Sequence, residues 1–302
     1  MNRQIFPNTP RRTLPPLARR YVTAVLAREA LSDVAAVLGA RGIAVMPLKG
    51  VLFQLVLYPD PAERALTDID ILVPEYAFAA AIEALLQAGF TPRSAGKSLI
   101  ECALRAPCGM TVDLHQQLFS PGRYKLSSEA LFRRATEDHR LLGLSLHLAH
   151  PHDTAAHLIG KFVSDHEGLE PLERLQELAR WVHHCSIDPW RLARHLCRSG
   201  MARAARYTLG RGAELLDDPF FPAALAALPA DPLGRVCERA ARTLIAELGR
   251  STWGALPAHA LNTSLMRGGM SLALSAGQRL RHAWLARGGS LGFWSPFFVP
   301  DF

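Results

Sequence analysis

Residues 47–73 read PLKGVLFQLVLYPDPAERALTDIDILV, and this stretch contains the pattern from which we predict the fold. Its last six residues, DIDILV at 68–73, form an apolar run rich in β-branched side chains, which is typical of a buried strand. Because side chains alternate along a strand, Asp68 and Asp70 project to one face while the isoleucines pack behind them. Two neighbouring carboxylates repel each other unless a cation lies between them, so we expect a divalent metal that also holds phosphates.

A second acidic strand pattern, TVDLH, follows at 111–115. Alternation places Asp113 and His115 on one of its faces. If this strand neighbours the first, Asp113 lies beside Asp68 and Asp70. Three clustered carboxylates can hold two metal ions, which clamp the attacking and leaving oxygens of an in-line phosphoryl displacement.

Phosphate contacts are expected just before the acid pair. Lys49 and Gly50 open a predicted helix at 51–58, and a glycine turn at a helix N-terminus is a ready anion site. Arg64, four residues before Asp68, is the best placed additional phosphate ligand.

Composition narrows the class of protein. The chain has 302 residues, of which 49% are hydrophobic and 20% charged, so it is an ordinary globular sequence long enough for one large core or two modest ones. Its net charge of +7 favours anionic partners such as nucleotides or nucleic acid, although charge alone specifies no partner. The five cysteines include no CxxC pair, which argues against a disulfide scaffold and a cysteine zinc site.

The N-terminus predicts neither export nor membrane insertion. Residues 1–18 are rich in proline and arginine, lack the apolar stretch of a signal peptide, and are expected to form an extended arm. No apolar run approaches the roughly 18 residues that span a bilayer. We therefore expect a cytoplasmic protein with no membrane partner.

Residues 19–125 are predicted to form a small domain with a mixed sheet. Helical periodicity and proline or glycine breaks predict helices over 19–38, 51–58 and 74–88. Strands are predicted at 43–46, 68–73, 99–104 and 110–115. This order of elements indicates an α/β (α+β) fold class.

Residues 126–302 are predicted to form a mostly helical domain with an aromatic C-terminal tail, GFWSPFFVPDF. Strand patterns largely vanish after residue 127. Helices are expected near 127–137, 151–166, 171–185, 188–199, 201–215 and 233–249.

The order of short motifs in the first domain resembles the bacterial uncharacterised nucleotidyltransferase family, which belongs to the DNA polymerase β-like nucleotidyltransferase superfamily. The motifs that carry the resemblance are LKG at 48–50, YPDP at 58–61, Arg64, DIDILV at 68–73, AGF at 88–90 and VDLH at 112–115. It covers roughly residues 20–230 and is strongest in 47–115. The small mixed-sheet domain would then be the catalytic one.

The resemblance implies a nucleoside triphosphate (NTP) as substrate and Mg²⁺ as cofactor. It makes Asp68, Asp70 and Asp113 the metal-binding carboxylates, and Gly50 the glycine of the nucleotide-binding turn. The wider superfamily usually has Gly-Ser or Gly-Gly at that turn, so this chain lacks the serine hydroxyl, for which Lys49 could compensate.

Further nucleotide contacts are assigned to His115 and to the helical domain. In related nucleotidyltransferases a lysine or histidine of that domain often meets the triphosphate. Lys161 and His157 are the candidates here, and the alternative for Lys161 is a solvated surface position.

A histidine cluster near residue 150 has two interpretations. His147, His150, His152 and His157 lie close to Asp153, a combination that invites a metal site. Their spacing matches no zinc motif, however, so we favour Asp153 as a cap of the helix that follows.

These features predict a Mg²⁺-dependent enzyme that moves a nucleoside monophosphate from an NTP to an unidentified hydroxyl acceptor on a small molecule, peptide or protein. Two alternatives stay open. One is a toxin-like nucleotidyltransferase acting on tRNA, and the other is a non-catalytic module that binds nucleotides for regulation.

Overall fold

A computed structural model describes residues 15–93, 100–120, 123–165, 172–232 and 235–236. The chain divides into two units. Among the described residues, those from 15 to 116 and from 136 to 148 form the sheet unit, and those from 117 to 135 and from 149 to 236 form the helical unit. The sequence predicted one boundary after residue 125, whereas the chain enters the helical unit at 117 and returns to the sheet unit once.

The sheet unit is built on five strands in the order β1-β2-β5-β4-β3. β2 and β5 are parallel, and the other neighbouring pairs are antiparallel, which makes the sheet mixed as predicted. The strands are β1 (Met46–Pro47), β2 (Asp68–Leu72), β3 (Thr91–Pro92), β4 (Glu101–Arg105) and β5 (Thr111–His115).

The described part of this unit also contains the α-helices α1 (Pro16–Gly39), α2 (Lys49–Val56) and α3 (Phe78–Gln87). The core includes Leu31 and Leu38 of α1, together with Ile69, Ile71 and other apolar strand residues, all fully buried. These strand residues alternate with the acids, so the core fixes which face of the sheet carries the carboxylates.

Several elements of the sheet unit differ from the prediction. Proline at the first position starts α1 at Pro16, so residues 16–18 are helical, and residues 1–14 of the predicted arm lie outside the described residues. The strand predicted at 43–46 is the two-residue β1. α2 begins at Lys49, so the Lys-Gly pair is its first turn. The helix predicted over 74–88 starts with a separate 3-10 turn, Glu75–Ala77.

The helical unit contains α4 (Ser128–Arg134), α5 (Pro151–Asp165), α6 (Leu172–His184), α7 (Pro189–Arg198), α8 (Ala202–Leu215) and α9 (Phe220–Ala226). Glycine permits two close approaches within it. The ring of Phe119 lies where a Cβ on Gly160 would stand, and Phe221 does the same at Gly212.

Two features of this region were not predicted. A hairpin of β6 (Thr136–Asp138) and β7 (Leu146–Leu148) interrupts the helices, and the short α9 follows α8. The hairpin rejoins the sheet unit, where the His147 amide donates to the Val45 carbonyl at 2.8 Å. Its three-residue strands are too short to give a period-2 signal.

Most of the predicted 233–249 helix and all of the aromatic C-terminal tail lie outside the described residues. Among the helices that are described, none combines the length and apolar character needed to cross a bilayer.

Candidate functional site

The three acids lie on one face of two adjacent strands. β2 and β5 run parallel, with Asp70 directly opposite Asp113 in register. Asp68 precedes Asp70 by two residues and therefore shares its face. Asp70 is 8% exposed, whereas Asp68 and Asp113 are half-buried and open toward solvent.

This arrangement concentrates negative charge. Burial raises the pKa of the Asp113 carboxyl, and the charges of Asp68 and Asp70 raise it further. His115 acts in the opposite direction, whereas Glu101 adds to the increase. A carboxylate whose ionised form is disfavoured by its neighbours gains from a nearby cation.

The carboxylate oxygens of the three acids suit a hard divalent cation that also binds phosphates. Within the described ranges no three His, Cys, Asp or Glu side chains are arranged to hold a metal by themselves. Mg²⁺ seldom uses an all-protein cage, since it retains waters and takes one or two carboxylates plus substrate phosphates. The oxygen ligands of Asp68, Asp70 and Asp113 fit that mode, and their assignment as metal ligands stays a prediction.

Lys49 is held next to the acids by its place in the chain. It is the first residue of α2, and the preceding Leu48 amide donates to the Asp70 carbonyl at 2.9 Å. This bond ties the start of the helix to β2. The Lys49 Nζ then lies 3.6 Å from Asp70 Oδ2, so the amine predicted to bind phosphate is paired with a carboxylate here.

Gly50 and Arg64 lie together beside the first turn of α2. A Cβ built on Gly50 would be 3.5 Å from Arg64 Nη1 and 3.3 Å from Leu66 Cδ2. The missing side chain therefore leaves room for the guanidinium to lie against the helix start. Both residues were predicted to contact nucleotide, and the structure brings them together with Lys49.

Gln54 fastens the loop that carries Arg64, a role that sequence reasoning missed. Its side chain is 1% exposed, and Nε2 donates to the carbonyls of Pro61 and Arg64, each at 3.1 Å. A buried amide costs free energy unless its polar groups are bonded, so such a residue is positioned by its partners. The available signal was one polar residue inside the apolar helix KGVLFQLV.

His115 lies between two carboxylates. Its Nε2 is 3.1 Å from Asp70 Oδ1, and its Nδ1 is 3.6 Å from Glu101 Oε2. Glu101 stands opposite His115 in the β4–β5 register. The sequence assigned His115 to nucleotide binding and did not identify Glu101. These contacts place His115 beside Asp70, and its assignment to nucleotide binding stays a prediction.

The helical unit carries Lys161 and His157, both in α5. Lys161 is half-buried, and its assignment to nucleotide binding stays a prediction. His157 is 3% exposed, with its ring edge-on to Phe119 at a centroid distance of 5.8 Å. His157 is therefore a packed core residue of this unit.

The histidines near residue 150 do not form the metal cluster that their spacing invites. His147 belongs to β7 of the sheet unit, whereas His150 lies immediately before α5 and the other two lie within that helix. Among the residues that the structure describes, no group of metal-ligating side chains gathers there.

Asp153 is fully buried, and its carboxylate is held by side chains of other helices. Arg134 donates from Nε and Nη2 at 2.8 and 2.9 Å, and His195 Nε2 is 2.9 Å away. The predicted capping contact is made instead by His150, whose Nδ1 accepts from the His152 amide at 3.3 Å. Asp153 therefore joins α4, α5 and α7.

No curated protein matches the sequence. Among solved structures, the antibiotic-resistance factor ANT(2'')-Ia aligns with a TM-score of 0.43 and 12% identity, over 65% of this chain and 98% of its own. An antigenic nucleotidyltransferase-like protein from Paracoccidioides brasiliensis aligns with a TM-score of 0.40 and 15% identity, over 70% and 94% of the two chains.

The sequence profile of one family covers most of the chain. It matches residues 4–217 and carries the description "Uncharacterised nucleotidyltransferase". This range includes the whole β2–β5 acidic site, so the resemblance and the mixed α/β fold class predicted from the sequence are both confirmed. The chain is a member of the uncharacterised nucleotidyltransferase family.

Proposed function

We propose that this protein transfers a nucleoside monophosphate from an NTP to a hydroxyl acceptor with release of pyrophosphate, in a reaction that depends on Mg²⁺. Membership of the family supports nucleotidyl transfer in general. The observation that carries the finer proposal is the register of Asp70 opposite Asp113, with Asp68 on the same face.

In this proposal the three acids hold the metal. Asp68 and Asp70 provide its carboxylate ligands, and Asp113 completes the set from the neighbouring strand. When bound, the metal would neutralise charge on the phosphates and orient them for in-line displacement. The raised pKa of Asp113 is consistent with this assignment: burial raises it most and the charges of Asp68 and Asp70 raise it further, so a bound cation would favour its ionised form.

The triphosphate would be held at the first turn of α2. Backbone amides at a helix N-terminus attract anions. Lys49 supplies an ammonium there, Gly50 leaves space for a close backbone approach, and Arg64 supplies a guanidinium that can bind phosphate oxygens in pairs. Gln54 keeps Arg64 in reach by fixing its loop.

Asp113 would also accept the proton of the acceptor hydroxyl. A general base works best when its pKa lies near the operating pH, and burial together with Asp68 and Asp70 moves the pKa of Asp113 in that direction. The acceptor itself would be a small molecule, a peptide or a protein. Lys161 of the helical unit is proposed as a further triphosphate contact.

Nucleotide binding is the first test. Isothermal titration of each NTP in the presence of Mg²⁺ should give binding that disappears on chelation and in the double variant Asp68→Ala/Asp70→Ala. Glu83→Gln is the matched control, since it neutralises an exposed acid of the same unit. If the unmodified protein binds no NTP with Mg²⁺, the proposal is wrong.

Acceptor labelling is the second test. NTPs labelled at the α-phosphorus are incubated with the protein and a cell extract, and the products are separated into RNA, protein and small-molecule fractions. Label in the protein or small-molecule fraction that depends on Asp113 supports the proposal. Label in tRNA would establish the toxin-like alternative, and NTP binding without any transfer would indicate a non-catalytic module.

A further inference from the structure

Both oxygens of the Asp70 carboxylate face a basic side chain of the protein. Lys49 Nζ is 3.6 Å from Oδ2, and His115 Nε2 is 3.1 Å from Oδ1. Asp70 is buried, so its charge depends on such partners for compensation. A metal that binds Asp70 must therefore replace at least one of these contacts.

The two partners differ in how firmly they are held. His115 is part of β5, and its second ring nitrogen is 3.6 Å from Glu101 Oε2 on the neighbouring strand. Lys49 reaches Asp70 through a flexible four-carbon stem at the start of α2, over the longer of the two distances. Lys49 is the partner that can leave.

A second location for the Lys49 ammonium lies close by. Gly50 follows it in the chain, and the Arg64 guanidinium lies against Gly50, so the proposed phosphate position is within reach of the same stem. An ammonium that loses its carboxylate there gains phosphate oxygens, which are also anionic. After the exchange Lys49 is paired with phosphate and Asp70 with the metal, so neither charge is left without a partner.

We infer that Lys49 takes the place of the metal at Asp70 in the nucleotide-free protein and moves to the triphosphate when metal and nucleotide bind together. The inference rests on the proposed function and adds a coupling to it. Metal alone competes with Lys49 for Asp70 Oδ2, whereas nucleotide draws Lys49 away. Metal and nucleotide therefore raise each other's affinity, as linkage requires.

Metal binding without nucleotide tests the exchange directly. Mn²⁺ is titrated into the full chain, and free Mn²⁺ is followed by electron paramagnetic resonance. Lys49→Met removes the competing charge, so its Mn²⁺ affinity should rise about tenfold over that of the unmodified protein. Its NTP affinity with saturating Mn²⁺ should fall about tenfold, because the triphosphate loses the ammonium. Opposite changes in the two affinities would not result from general damage to the site.

Two further variants control for misfolding and for non-specific effects of charge. Lys49→Arg retains the positive charge and should keep the low Mn²⁺ affinity. Lys125→Met removes an exposed lysine of the helical unit and should change neither affinity. If Lys49→Met binds Mn²⁺ no more tightly than the unmodified protein while the unmodified protein still binds NTP, the exchange is wrong and the proposed function stands. If the unmodified protein fails to bind NTP, both are wrong.

The unmodified chain offers an independent measurement. Amine acylation of Lys49 is quantified by mass spectrometry, with Lys125 as the internal reference. Mn²⁺ alone at saturation should raise the modification of Lys49 at least about threefold, because the ion pair with Asp70 is broken. Adding NTP should then lower it below the metal-free level. Modification that does not change with Mn²⁺ would overturn the exchange.

Discussion

Asp70 and Asp113 occupy opposite positions in the parallel β2–β5 pair, the place in the sheet unit where two acids are forced together by backbone pairing. Moving either acid would shift the register of its strand, and the opposite face of each strand is packed in the core. Ile71 and Leu114, one residue further along each strand, are fully buried in that core. The packing of one face therefore maintains electrostatic repulsion on the other. Such a conflict is typical of a functional site.

Removing the charge of Asp113 should stabilise the metal-free protein while abolishing transfer. Because the folded-state pKa of Asp113 is raised, its protonated form favours folding and its ionised form opposes it. The stabilising contribution is present below the unfolded pKa of about 3.9 and is lost as the pH rises through the folded value. Asp113→Asn should therefore raise the free energy of unfolding at pH 7 by about 0.5–1 kcal/mol.

Denaturant unfolding in a chelator measures this gain, and the label-transfer assay measures the loss of activity, expected at about 10²–10⁴-fold. Glu83→Gln, at an exposed position of the same unit, should change neither quantity. A less stable Asp113→Asn protein would show that Asp113 is a structural carboxylate and not part of a repelling cluster.

Gln54 should affect nucleotide affinity through the loop that carries Arg64, since its amide bonds the Arg64 backbone and is not itself proposed to contact phosphate. Gln54→Leu removes both hydrogen bonds to the Pro61 and Arg64 carbonyls and leaves those partly buried acceptors short of a partner. The expected loss of stability is about 1–3 kcal/mol. Because Arg64 is then less well fixed, the KM for NTP should rise more than kcat falls.

Gln87→Leu is the control for that experiment, since its amide makes only exposed hydrogen bonds, donating to Glu83 and accepting from Arg41. It should leave KM unchanged and alter stability by less than about 0.5 kcal/mol. If Gln54→Leu lost stability with no change in KM, the loop would be held by Gln54 without affecting Arg64.

The sequence could predict that the three acids share one face of the sheet, because the alternation of side chains along a strand depends only on neighbouring residues. The pattern of Asp68 and Asp70 required only that the isoleucines face the core, and Asp113 followed from the same rule on a second strand. The structure confirms that they share one face, while their roles as metal ligands stay a prediction. The start of α2 was missed by two residues because Lys49 is compatible with either a turn or a helix.

Glu101, Gln54 and the return of the chain at 136–148 could not be predicted, since each depends on non-local pairing. Glu101 contacts His115 only because the pairing of β4 with β5 places the two residues opposite each other. The amide of Gln54 reaches carbonyls of a loop whose path is set by two prolines and by β2. The hairpin belongs to the sheet unit through a backbone bond between His147 and Val45, about one hundred residues apart in sequence.

Gly160 should resist substitution by alanine, and the defect should be repairable at Phe119. A Cβ on Gly160 collides with the Phe119 ring, and rigid rings cannot move aside as a flexible chain end would. Gly160→Ala is expected to cost about 1–3 kcal/mol of stability. Phe119→Leu alone also destabilises, but the double variant should be more stable than the sum of the two effects predicts, as a double-mutant cycle of unfolding would measure.

A matched control for the cycle is Gly39→Ala in α1, where nothing lies within 4 Å of the added Cβ. It should be neutral or slightly stabilising, since alanine is the better helix former. Additive effects at Gly160 and Phe119 would mean that the ring does not limit this position.

Acidification should weaken the helical unit through His152. Both of its ring nitrogens are buried without a hydrogen-bond partner among the described residues. Burial lowers the pKa of His152 first, and then the charges of His150, His195 and Arg191 lower it further, while Asp153 acts in the opposite direction. The rings of His150 and His195 lie 5.0 and 5.9 Å from that of His152, so protonation adds a cation to a basic cluster.

The folded state therefore favours the neutral form of His152, and the unfolded state binds its proton more readily. Its contribution to stability is complete above the unfolded pKa of about 6.5 and is lost as the pH falls through that value toward the lower folded one. Unfolding by denaturant should be easier at pH 5.5 than at pH 7.5 by up to about 1 kcal/mol from this residue. His152→Leu should remove that part of the pH dependence, whereas His184→Gln, at an exposed position of the same unit, should preserve it. Equal pH dependence in His152→Leu and the unmodified protein would assign the acid sensitivity to other groups.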